Sequence, residues 1–149
     1  MKLILVQDRK VILDSIWGLC YTTDTDYDNI TRNIFDTGII HKLLKLDFSE
    51  LNEFKIPTIR MIGNVVSLDN SITEVNAIFI KEMIKLGVIN KVEVLLNDKN
   101  KQIVREATWI ISNITAGTKS QIDYILKNQN IYNKLVSLTK DNDYSVNKD

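Results

Sequence analysis

The feature that most constrains this chain is a segment that occurs three times. "ILDSIWGLCYTTD" (12–24), "IPTIRMIGNVVSL" (56–68) and "VREATWIISNITA" (104–116) each carry a large residue four positions before a polar or aromatic one. The pairs are Trp17 and Tyr21, Arg60 and Asn64, and Trp109 and Asn113. Each segment is followed by a shorter helical pattern that opens near a glycine or asparagine: "TGIIHKLLKL" (37–46), "LGVINKVEVLL" (86–96) and "NQNIYNKLVSL" (128–138). Trp17 to Arg60 spans 43 residues, Arg60 to Trp109 spans 49, and Gly38 to Gly87 also spans 49, with the extra six residues between Val66 and Gly87. Units of this size cannot bury their apolar faces alone, so successive copies must stack.

A period in the low forties with about three helices per unit predicts an all-α fold, an armadillo or HEAT type of right-handed α-solenoid of about three repeats. One proline and five glycines in 149 residues agree with helices rather than with many turns and strands. The pattern predicts helices over 9–22, 27–37, 39–47, 53–68, 72–86, 88–97, 101–116, 120–129 and 131–140. Residues 1–140 read as a single domain, with units of about 1–26, 27–70, 71–118 and a partial 119–140, followed by a polar tail over 141–149.

Charge and composition exclude several function classes. Lysine plus arginine (19) equals aspartate plus glutamate (19), so no overall field draws the chain to nucleic acid or to an anionic membrane. The one cysteine, Cys20, excludes an internal disulfide. "MKLILV" is too short for a signal-peptide core, and no later apolar run approaches a membrane span, so the expectation is a soluble intracellular chain. The single histidine, His41, lies in a helix-surface pattern, and Cys20 sits among apolar residues with no histidine nearby. No phosphate loop, metal-ligand spacing or nucleophile elbow occurs. The reading is therefore a non-enzyme with no cofactor and no metal.

A helical wheel locates the chemistry. Ile103, Ala107, Ile110, Ile111 and Ile114 fall in an arc of roughly 100°, the width of a core-facing stripe, while Glu106, Trp109 and Asn113 share a flank roughly 115° away. The middle unit repeats this, with Phe54, Thr58, Met61, Ile62 and Val65 inside and Pro57, Arg60 and Asn64 on the flank. In the first unit Val11, Ser15, Gly18 and Leu19 are expected inside, with Asp14, Trp17 and Tyr21 outside. Stacking aligns these flanks into a ladder along one surface. An asparagine amide can pair with the backbone of an extended peptide. Tryptophan faces form slots for the stems of lysine or arginine, adding a cation-π attraction of roughly 0.5–2 kcal/mol. A carboxylate at the end of such a slot pairs with the cationic head. The inferred ligand is an extended basic peptide. The acidic run with Asp24, Asp26 and Asp28 reads mainly as a solvated loop and helix start, and secondarily as a source of negative field near the groove.

"REATWIISNITAG" closely resembles the signature of importin-α, the armadillo-repeat adaptor that carries nuclear localisation signals. The order of "DSIWGLCY", "PTIRMIGNVVS" and "EATWIISN" is similar to the family's fourth, fifth and sixth repeats, with part of the seventh after them. The resemblance covers residues 9–140 and is strongest in 104–122. It implies that Glu106, Trp109 and Asn113 form the acid, slot and backbone clamp of the minor signal-binding site, and that Asn64, Val66 and Thr73 fall where that site receives a lysine. It implies further that Asp14, Trp17 and Tyr21 form the edge of the major site and that Arg60 interrupts the tryptophan ladder between them. The implied partners are nuclear localisation signals of cargo proteins, and the implied location is cytoplasm and nucleus. Importin-β coupling is expected only if a longer chain supplies the basic N-terminal segment. The chain reads as a piece of a longer adaptor or a reduced product, with self-association possible through uncapped end repeats. The rival reading is an armadillo or HEAT scaffold segment that binds another extended partner.

Overall fold

The computed structural model describes residues 8–24, 28–48, 51–67 and 74–140, with side chains from residue 30 in the second stretch and from residue 80 in the fourth. Its helices are α1 (Arg9–Thr23), α2 (Asp28–Asp36), α3 (Ile39–Leu44), α4 (Lys55–Ser67), α5 (Glu74–Lys85), α6 (Val88–Leu95), α7 (Lys101–Thr115), α8 (Lys119–Lys127) and α9 (Gln129–Thr139). No strand occurs among the described residues. Each helix matches one expected from the sequence to within three residues at either end, the largest difference being α3, which stops at Leu44 rather than 47. The tail 141–149 lies outside the described residues.

Local chemistry sets the boundaries. Asp8 caps α1 by accepting from the N–H groups of Lys10 and Val11, and Asn100 caps α7 by accepting from that of Gln102. Thr118 and Gln121 close a reciprocal capping box on α8. Asn128 accepts from Asn130 and Ile131 at the start of α9. The turns from α2 to α3 and from α5 to α6 each pass through a left-handed glycine, Gly38 at φ 71° and Gly87 at φ 89°. A side chain at Gly87 would meet no atom within 4 Å, so its cost is backbone strain alone. Gly87→Ala is therefore expected to lower stability by about 1–2 kcal/mol. Gly18→Ala, in the regular interior of α1 with equally open space, should instead raise it by about 0.8–1 kcal/mol through helix propensity. Urea denaturation of the two variants checks the opposite signs.

The three long helices α1, α4 and α7 lie side by side with α4 in the middle. Ile103, Ala107, Ile110, Ile111 and Ile114 are at most 2% exposed, and Phe54, Thr58, Met61, Ile62 and Val65 are at most 3% exposed, so both stripes fill the core as expected. Pro57, expected on the flank, is buried, because α4 is enclosed by a helix on each side. The first unit also departs from expectation. Ile16, Cys20 and Thr23 are its buried residues, whereas Val11 and Gly18 are exposed and Ser15 and Leu19 half-buried. α1 has its long-helix neighbour on one side only among the described residues, and the face it buries is the one turned to α4.

Polar groups bridge units one repeat apart. Lys55 Nζ meets Asp98 Oδ2 at 2.6 Å. Lys91 Nζ donates to the Leu46 carbonyl at 2.5 Å and lies 4.3 Å from the centre of the Phe48 ring. Burial pulls the Lys91 pKa below the usual lysine value. Glu93 accepts from Asn128 at 2.8 Å and Asn130 at 2.7 Å, bonds that lower its carboxyl pKa and tie α6 to the start of α9.

Candidate functional site

Because α1, α4 and α7 are stacked in order, their flanks meet in one groove. It has a volume of about 260 Å³ and is lined by Cys20, Tyr21 and Asp24 from the end of α1, Arg60 and Asn64 from α4, and Glu106 and Trp109 from α7. Five of the ten residues expected from the sequence therefore share it: Tyr21, Arg60, Asn64, Glu106 and Trp109. Trp17 stands behind Tyr21, their rings stacked with centroids 5.5 Å apart and planes 25° apart. Asp14 is exposed one turn before Trp17. Asn113 lies one turn beyond Trp109, and its Nδ2 is buried with no hydrogen-bond partner. The Val66 side chain is buried in the core at 1% exposure, so contact with a ligand would have to use its backbone in the last turn of α4. Thr73 and Asp26 lie outside the described residues.

The polar groups of the groove already make bonds across helices. Arg60 Nε donates to Glu106 Oε1 at 2.9 Å, and this bond raises the arginine pKa further. Glu106 thus shares its charge with a neighbouring unit. Asn64 Nδ2 donates to the Cys20 carbonyl and to Thr23 Oγ1, both at 3.2 Å. Both amide hydrogens are then committed to the C-terminal turn of α1, which leaves the carbonyl oxygen as what Asn64 can offer a ligand. In the groove two carboxylates, Asp24 and Glu106, accompany one guanidinium, so the local balance is negative although the chain as a whole is neutral.

Cys20 was absent from the residues expected to line this surface. Its thiol is pushed up to about 11 by burial, against the opposing pull of Arg60, so it stays protonated at neutral pH. Gly63 was also not singled out. The Trp109 indole lies directly on it, so that a Cβ there would overlap the six-membered ring. Its signal in the sequence was a glycine inside a helical pattern, which carries a propensity cost of about 1 kcal/mol and so calls for a packing reason. Among the described residues no group of three or more histidine, cysteine or acidic side chains is placed to hold a metal ion.

Comparison with known proteins agrees with this architecture. The family model described as "Armadillo/beta-catenin-like repeat" matches residues 77–116. The chain is 32% identical to importin subunit alpha-1a of Oryza sativa subsp. japonica over 136 residues, which is 91% of this chain and 24% of the rice protein. It is 32% identical to importin subunit alpha-4 of Arabidopsis thaliana over 125 residues, 84% of this chain and 22% of that protein. The chain thus spans about a quarter of the length of these relatives. Among solved structures, a designed armadillo repeat protein in complex with the peptide (KR)4 superimposes with a TM-score of 0.79 at 24% identity, covering 95% of this chain and 55% of that one. An engineered protein matches with the same score at 22% identity over 96% of this chain. In fold the chain is an all-α armadillo solenoid, and in sequence it is importin-α-like.

Proposed function

We infer that this chain binds the extended, basic nuclear localisation signals of cargo proteins along the groove across α1, α4 and α7, as an importin-α-like adaptor in nuclear protein import. The observation that carries the reading is the single groove joining Trp109, Asn64, Glu106 and Tyr21 from three successive units. Relatives named as importin-α subunits, and a designed protein of the same fold in complex with a lysine-arginine peptide, support it.

The chemistry follows from the side chains. Trp109, 37% exposed, receives the aliphatic stem of a lysine or arginine against its ring. Glu106 and Asp24 attract the cationic head, and Glu106 divides its charge between that head and Arg60. The Asn113 Nδ2 is buried and unpaired, a cost of about 1–3 kcal/mol, and its amide pairs with a peptide carbonyl along α7 once the side chain turns outward. Arg60 breaks the run of acceptors for cations, so basic residues bind on either side of it rather than over it. The Val66 carbonyl, in the last turn of α4, has no backbone N–H of its own helix to accept from and is what that residue can offer a peptide. In this reading the protein works in cytoplasm and nucleus, and coupling to importin-β requires a longer chain with the basic segment.

A second reading is favoured by the bonds that Asn64 and Arg60 already make, which absorb part of the ladder internally. On that reading the chain is an armadillo scaffold for another extended partner. Titration of a fluorescent lysine-rich peptide separates the two. Trp109→Ala/Asn113→Ala should weaken binding by about 10- to 100-fold, as expected for an aromatic anchor and its clamp, and added salt should weaken the wild type. Equal binding by the double variant, or no salt-sensitive binding by the wild type, would defeat the import reading.

A further inference from the structure

We propose that Gly63 is a positioning residue that sets the orientation of the Trp109 slot, an inference that rests on the peptide-binding reading above. Gly63 is buried on α4 between the groove residues Arg60 and Asn64, on the side that faces α7. A Cβ built on it would stand 2.6 Å from Trp109 Cε3 and 3.1 Å from Cη2, far inside ordinary carbon contact. The benzo ring of the indole therefore rests on bare helix backbone, and its partner in this contact is main chain, which cannot swing aside as a flexible side chain would.

This contact decides what the slot can be. With its benzo ring held against α4, Trp109 is limited in how it can turn, and only 37% of the residue stays exposed. Any side chain at 63 would lift the ring toward the space lined by Arg60, Asn64 and Glu106, the space a ligand side chain must occupy. The rung on α1 is built differently. There Trp17 stacks on Tyr21 of its own helix, so the two tryptophans are held by different partners and are not interchangeable positions.

The test uses the full chain with Trp17→Phe, so that Trp109 is the one tryptophan and is excited selectively over the five tyrosines. Adding Gly63→Ala should leave the helical circular dichroism in place, because alanine is a better helix former than glycine. It should shift Trp109 emission to the red, increase quenching by iodide, and weaken a lysine-rich peptide by about 10-fold. Gly63→Ala together with Trp109→Ala should bind no worse than Trp109→Ala alone, since the two act through one ring. Unchanged emission and quenching in folded Gly63→Ala, or additive losses in the double variant, would overturn the proposal. A shift in emission without any peptide binding by the wild type would support the positioning role and count against the peptide reading. Should Gly63→Ala fail to fold, Gly63→Ala/Trp109→Ala must fold again. If it does not, the overlap with Trp109 is not the reason and the proposal falls.

Discussion

Ile62→Ala is expected to lower the unfolding free energy by about 2–5 kcal/mol, the range for truncating a buried isoleucine and leaving a partly collapsed cavity. Ile62 is 1% exposed on α4, the helix enclosed by α1 and α7, so its neighbours have little freedom to fill the space. Against a total of about 5–15 kcal/mol for a domain, such a loss is a large part of the whole. Chemical denaturation monitored by circular dichroism measures it. Val94→Ala, at a site 70% exposed, is the control and should change stability by less than about 0.5 kcal/mol. A comparable loss at both positions would mean that the central helix is not the cohesive element of the stack.

Asp98→Ala is expected to cost about 1.5–3 kcal/mol, because it leaves the Lys55 ammonium without its carboxylate in a site where the two side chains are only 16% and 14% exposed. It also removes the acceptor for the Asn100 N–H at 2.9 Å, which shapes the loop into α7. Burial pushes the Asp98 pKa up, but the bond from Lys55 and the backbone N–H groups of Asn100 and Lys99 outweigh it, so the folded value lies below the ordinary one. The sign follows from that. A carboxyl depressed in the folded state stabilises it above the unfolded pKa of about 3.9, and that share disappears as pH falls through the lower folded value. The difference between wild type and Asp98→Ala should thus be full at pH 6–7 and shrink below about pH 4. A difference constant down to pH 2 would show that the ionised pair is not what Asp98 contributes.

Much of this architecture was legible in one dimension. The recurrence of Trp17, Arg60 and Trp109 at nearly one spacing required stacked units, and the isoleucine stripe of α7 required a buried face. Glu106, Trp109 and Asn113 could be placed together on a flank because helical periodicity is local. The first unit was misread for a physical reason: the wheel of α1 has apolar residues on two sides, Val11 and Leu19 on one and Ile16 and Cys20 on the other. Periodicity does not say which of them a neighbour will cover, and α4 covers the second.

The sequence by itself determined the helices, their order and the all-α stacked architecture, because these depend on propensity and period along a single chain. Tertiary structure alone decided how the flank residues meet. Arg60 and Glu106 are 46 positions apart, as are Gly63 and Trp109, and only the packing of α4 on α7 makes an ion pair of the first and a seated ring of the second. Such pairings are set by the distance and angle between two helix axes, which arise from the packing of whole faces and leave no local trace in either segment.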